Sequence, residues 1–265
     1  IFVGAVDEFG YLFPDANGLL HYNSYKPIIP DSIQHIGEVW CTNVIQGKPY
    51  FMTDNNLFRV EGENIHVWKP EGISFFLSMP IGDTLFIQDF ESGFKYLEND
   101  TLKLIKNGEI LSEAAVHSAH YLRDTLIIMT NPYYGAFLYD VKTGEFFNYG
   151  APAVEYLVEN KNYTSIRIND NYYAYGTTRG GVLITDEFGK VIDKFDKLSG
   201  LQNEAVYSMY YSKNNDLWLG LDDGVSMIEY NSPITYWDPG SGLKGTPQDI
   251  TRFNNKIYVA TGYGV

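Results

Sequence analysis

The sequence is 265 residues long, with 33 acidic side chains against 19 basic ones and a formal charge of −14. That balance repels phosphate backbones and anionic bilayers, which excludes nucleic acid as a partner of this segment. A single cysteine, Cys41, excludes an intramolecular disulfide and a cysteine-clustered metal site.

Tyrosine (22), phenylalanine (16) and glycine (25) are abundant, and no long stretch is rich in Ala, Leu, Glu and Lys, so an all-β chain is expected. Taken in chain order, strand-like segments recur every 40 residues or so, the spacing of stacked or radial repeat units. A first unit opens at Ile1 and covers about 1–30. The second (38–70) has strands at 39–45 and from Tyr50, and the third (73–106) at 74–79 and from Leu85. In the fourth (115–150) the strands fall at 116–122, 126–129, 136–139 and 145–149, and in the fifth (163–196) at 164–168, 172–175, 182–185 and 190–195. The sixth (205–238) has them at 206–211, 216–220, 225–230 and 233–237, and a last unit (248–265) at 249–253 and from Ile257.

Each unit thus holds four strands, a to d in chain order. Four short antiparallel strands at this period define a propeller blade, a small sheet that buries both faces only once neighbours flank it. Segments such as Leu126-Ile127-Ile128-Met129, apolar at every position, fit sheets covered on both sides. Two packed sandwiches are the alternative. The first unit lacks strand a and the last lacks most of c and all of d, so the expectation is one β-propeller domain over 1–265, seven-bladed, with its first and last blades incomplete.

In the sixth unit the residues become family-specific. The run from Ser199-Gly200-Leu201-Gln202-Asn203-Glu204-Ala205-Val206-Tyr207-Ser208, followed by Asn215-Asp216-Leu217-Trp218-Leu219-Gly220 and Gly224-Val225, resembles the two-component regulator propeller repeat. A second Gly-Leu pair stands at Gly242-Leu243, and Val3-Gly4-Ala5-Val6-Asp7-Glu8-Phe9-Gly10 looks like the opening blades of such sensors from Bacteroidetes. The match is specific over 198–243 and poor between 39 and 170, where Tyr50-Phe51-Met52, Leu85-Phe86-Ile87 and Leu126-Ile127-Ile128 replace the Trp-Ile-Gly strand. The resemblance implies a periplasmic sensor segment of an inner-membrane regulator, with a triple-tyrosine sandwich, a membrane helix and a kinase or DNA-binding module elsewhere in the polypeptide, and often a glycan as input. The chain itself has no apolar run of the roughly 18 to 20 residues that span a bilayer and no signal-peptide pattern. Its strand-like ends lead us to expect a piece of a longer protein.

Among chemistry-bearing residues, His117 and His120 lie three apart on a predicted strand, so alternation directs them to opposite faces and argues against a shared metal. Paired carboxylates such as Asp7-Glu8 and Asp222-Asp223 fit turns better than an acid–base pair. With no nucleophile elbow or phosphate loop present, we expect neither catalysis nor a cofactor. In a propeller the b–c turns and the d–a connections emerge on one face around the channel. The b–c turns supply Asp7, Glu8, Asp54, Asn55, Phe90, Glu91, Tyr133, Tyr134, Arg179, Asp222, Asp223 and Tyr263. Of these, Tyr133, Tyr134, Arg179, Asp222, Asp223 and Tyr263 are the expected ligand-binding set, since rings stack on sugars and planar polar groups pair with hydroxyls. Trp218 is expected to pack between blades, and Trp68 and Trp237 to sit on outer strands. The leading expectation is a ligand-sensing propeller taking an oligosaccharide. The alternatives are an interaction or homodimer scaffold and a polysaccharide-acting enzyme.

Overall fold

A computed structural model describes residues 1–230 and 242–264. They form seven antiparallel sheets, each a plain meander in chain order. The first sheet contains β1 (Phe2–Ala5), β2 (Glu8–Pro14) and β3 (Leu20–Ser24), and the second β4 (Cys41–Ile45), β5 (Lys48–Met52), β6 (Leu57–Glu61) and β7 (Asn64–Trp68). The third contains β8 (Phe75–Ile81), β9 (Thr84–Asp89), β10 (Gly93–Glu98) and β11 (Thr101–Leu104), and the fourth β12 (Ser118–Arg123), β13 (Leu126–Asn131), β14 (Gly135–Asp140) and β15 (Phe146–Asn148). In the fifth are β16 (Asn162–Arg167), β17 (Tyr172–Thr177), β18 (Val182–Asp186) and β19 (Val191–Phe195); in the sixth, β20 (Val206–Tyr211), β21 (Asp216–Leu221) and β22 (Val225–Glu229). A hairpin of β23 (Pro247–Phe253) and β24 (Lys256–Thr261) follows. The segment expected as the sixth unit's strand d, with Trp237, lies outside the described residues.

The chain is an all-β propeller in which six sheets follow one another round a ring. Innermost strands touch in succession, β4 on β8, β8 on β12, β12 on β16 and β16 on β20, and β1 meets β4. Because each sheet is apolar on both faces, the core is divided among the gaps. Five clusters of buried side chains fill the five gaps between the six sheets, with Phe9, Phe51 and Phe58 in the first and Val206, Leu217 and Leu219 in the last. In the first sheet, β1, β2 and β3 take the places of b, c and d: Val6 at the end of β1 bridges Glu38 on the approach to β4, and the Asp7 N–H donates to the Gly37 carbonyl. The a–b hairpin turns at Gln46-Gly47 and Asn254-Asn255 carry both central residues at positive φ, the geometry that matches strand twist.

Three features depart from the sequence reading. The seventh hairpin is exposed along the whole of β23 and buries none of the five clusters, so a closed ring of seven is not observed. Trp218 is 42% exposed because it projects from the sixth sheet toward the side that no cluster covers, while its neighbours Leu217 and Leu219 are buried toward the fifth. A helix, α1 (Ala151–Glu159), also occupies the connection from the fourth sheet to the fifth. Pro152 in its first turn suits helix initiation, and Ala153 and Leu157, one turn apart, are buried against the fourth and fifth sheets. Among the described residues no helix is long and apolar enough to cross a membrane.

Candidate functional site

Four of the b–c turns are fastened by the polar residue at the end of strand b. Thr53 Oγ1 accepts the Asn56 N–H, Asn131 Oδ1 accepts those of Tyr133 and Tyr134, Thr177 Oγ1 that of Gly180, and Thr261 Oγ1 that of Tyr263. These bonds satisfy turn amides that the sheet cannot reach, and so hold Tyr133, Tyr134 and Arg179 at the rim. A second link joins the turns to the d–a connections. The Thr178 N–H donates to the Lys161 carbonyl, and the Gly181 N–H to that of Glu204.

A second repeated device sits at the start of strand a. In β16, Asn162 pairs with Thr177 and Thr164 with Gly176, which leaves Tyr163 as an extra residue; in β20, Tyr207 is extra in the same register. The pairing of β8 skips from Phe75 to Ser78, a shift that takes in Phe76. His117 and Trp40 occupy the matching place just before β12 and β4, their N–H groups donating to the Thr130 and Met52 carbonyls. Such bulges re-aim a side chain that strict alternation would direct into a gap. The result is a belt of rings across successive sheets: Phe76 and His117 are 5.3 Å apart, His117 and Tyr163 5.2 Å, and Tyr163 and Tyr207 5.0 Å, all edge-on.

Between the fourth and fifth sheets this belt forms the side of a cleft of about 500 Å³, lined by Ala115, His117, Pro132, Tyr133, Lys161, Asn162, Tyr163, Thr178 and Arg179. Tyr133 and Arg179, from two b–c turns 46 residues apart in sequence, meet here. Lys161 stands with its ammonium 5.0 Å from the Tyr133 ring centre, a cation–π contact. Lys161 follows α1 at φ +56, a left-handed position where helices usually end on glycine. His117 Nδ1 lies 3.2 Å from the Tyr163 carbonyl. A carbonyl only accepts, so Nδ1 carries the proton and Nε2 presents a lone pair. Burial holds the His117 pKa below the usual imidazole value, opposed by that hydrogen bond, which keeps the ring neutral at pH 7.

Asn162 lines the same cleft, is 0% exposed, and neither of its amide atoms has a hydrogen-bond partner. The matching residues in other sheets are Val39, Phe75, Val116 and Val206. An unpaired buried amide costs about 1–3 kcal/mol, so the fifth sheet keeps a polar group where its neighbours keep an apolar one.

The other expected site residues lie elsewhere. Tyr134 turns into a larger cleft of about 740 Å³ beside α1, among Ile110, Phe137, Phe147 and Val154. Asp222 and Asp223 stand in the turn between β21 and β22, where the Asp222 N–H donates to the Ala205 carbonyl, and neither lines the Tyr133 cleft. Tyr263 belongs to the last hairpin and is 84% exposed. His117 and His120 do not diverge as alternation suggested. His117 precedes β12, so alternation does not run through it, and both rings reach β16, His120 Nε2 lying 2.9 Å from the Ser165 carbonyl. Among the described residues no cluster of His, Cys, Asp or Glu could hold a metal. Lys161, Asn162 and Tyr163 escaped the sequence reading because it followed b–c turns alone. A lysine and two asparagines between a helix-forming stretch and a strand were the available signal.

No protein-family model matches the chain, and no curated protein matches it. Among solved structures it resembles the extracellular domain described as that of the hybrid two-component system BT3049 of B. thetaiotaomicron, at 18% identity and a TM-score of 0.58 over 83% of this chain. It also resembles the WD40 propeller domain of Doa1 (14% identity, TM-score 0.63, 85% of this chain and 73% of that one) and BBS1N in its complex with ARL6DN (12%, 0.59, 84% and 72%). At these identities the likeness shows the propeller fold. The chain spans 32% of the BT3049 domain's length.

Proposed function

We propose that this chain is a ligand-sensing propeller, the periplasmic part of a membrane-spanning bacterial regulator, and that it recognises a glycan or related small molecule on the face carrying the b–c turns. The observation that carries this reading is the cleft of about 500 Å³ where Tyr133, Tyr163 and His117 meet Lys161, Asn162 and Arg179. Rings exposed beside a buried amide and free donors suit a ligand with alternating apolar faces and hydroxyls. A binding role is favoured over a catalytic one because the lining contains no carboxylate to act as acid or base. The likeness to the extracellular domain of a two-component system agrees with a sensor.

The test is thermal melting of the protein against a broad panel of di- to tetrasaccharides. Binding raises the midpoint by mass action, and the rise is lost on Tyr163→Ala, in which the belt is broken. A panel that leaves the midpoint unmoved removes the glycan reading. A scaffold role draws support from one other place, the outer face of the sixth sheet, where Tyr210, Trp218, Val225 and Met227 are all exposed. We assign that face to a neighbouring propeller of the same protein.

A further inference from the structure

The cleft between the fourth and fifth sheets differs in charge from the rest of the molecule. The protein carries a net charge of −14, yet the cleft's ionised side chains are Lys161 and Arg179 alone. Some surface cations are paired with carboxylates, Lys48 with Glu61, Lys103 with Glu98, Arg123 with Glu187 and Arg167 with Asp170, while others such as Lys69, Lys142 and Lys213 stand alone on open surface among the described residues. What sets Lys161 and Arg179 apart is that both line one cleft. Among the described residues, neither Lys161 nor Arg179 has an ion-pair partner. Lys161 is held at the cleft by a backbone conformation that disfavours a side chain, and it lies over an aromatic face. Asn162 beneath them has both amide atoms free.

From this juxtaposition we infer that the cleft takes a saccharide bearing an anionic substituent, a carboxylate or a sulfate, with the anion between Lys161 and Arg179 and the sugar ring against Tyr163 and Tyr133. This rests on the glycan reading above and adds the charge of the ligand. The bidentate fork of Arg179 and the ammonium of Lys161 supply the donors that such an oxyanion needs. Neutral His117 offers an acceptor at Nε2 for a hydroxyl. No acidic side chain lines the cleft to repel the charge.

The experiment is calorimetric titration of the whole chain with uronate-containing and sulfated di- to tetrasaccharides, each paired with its methyl-esterified or desulfated form, and with sodium sulfate and sodium benzoate as anions without a sugar. The expected result is that an acidic member binds at least about tenfold more tightly than its neutral counterpart, since a hydrogen bond to a charged group is worth that much. Lys161→Met and Arg179→Met, each with an unchanged melting midpoint, should abolish that preference, and raising the salt concentration should weaken it. Neutral forms that bind equally well overturn the anionic inference while leaving the glycan reading standing. Binding of the sugar-free anions alone, lost in both variants, removes the glycan reading and keeps the anion site. Silence from every probe overturns both.

Discussion

At the scale of single residues, the structure separates side chains that stabilise from those that do not. Asn162 belongs to the second kind, because its position is apolar in the four other sheets compared and its amide is unpaired. Asn162→Val should therefore raise stability by about 1–2 kcal/mol, the relief of a buried unsatisfied amide, read as a higher urea midpoint; a fall would mean that the amide has a partner in solution. His120 makes the opposite kind of contribution. Burial under β16 lowers its pKa below the ordinary value of 6.5, with the Ser165 carbonyl opposing the shift. The unfolded chain then binds the proton more readily than the folded one. The stabilisation is present above pH 6.5 and declines as pH falls from there toward the folded-state value. Unfolding measured between pH 7.5 and 5.5 should show this slope, and His120→Asn should reduce it, the remainder belonging to His117, whose pKa burial also lowers.

At the scale of one element, the third sheet depends on charges inside it. Asp89 ends β9 at 0% exposure and accepts hydrogen bonds from the Glu71 and Gly72 N–H groups at 2.9 and 3.1 Å and from Lys95 Nζ at 2.8 Å. Lys95 is itself 2% exposed and also reaches Glu71 at 2.6 Å. Where Thr53, Asn131 and Thr177 hold amides of their own b–c turns, this carboxylate ties the end of strand b to the connection from the second sheet. Asp89→Ala leaves a buried ammonium with one exposed partner and strips two amides, so the loss should be about 3–5 kcal/mol. Lys95→Met added to Asp89→Ala should recover part of it, because the stranded charge is removed. Chemical denaturation of the single and double variants measures both, and equal losses would show that the ammonium is not what costs stability.

For the whole molecule, stability resides in the gaps between sheets. Phe51 is 0% exposed and stacks on Phe9 at 4.4 Å between the first and second sheets, so Phe51→Ala should cost about 3–5 kcal/mol. The last hairpin fills no such gap, with Ile250, Phe253 and Ile257 each more than 60% exposed. Ending the chain at residue 241 should lower the melting midpoint by less than about 3 °C, the equivalent of roughly 1 kcal/mol for a domain of this size. A larger fall would show that β23 packs on the exposed face of the sixth sheet and closes the ring.

The sequence by itself determined the strands, their order and the meander within each sheet, because these follow from alternating or continuous apolar runs and from turn residues a few positions apart. The expected strands at 206–211 and 126–129, for example, fall inside β20 and β13. It also brought Tyr133 and Arg179 onto one face through the repeat alone. Tertiary structure decided the rest: that Tyr134 and Tyr263 point away, that bulges align Phe76, His117, Tyr163 and Tyr207 into a belt, and that Asn162 and Lys161 complete the cleft. The reason is physical. Turn type and strand period are fixed by neighbours in sequence, whereas a cleft is made by side chains from sheets more than 40 residues apart, whose meeting depends on how their buried faces interlock.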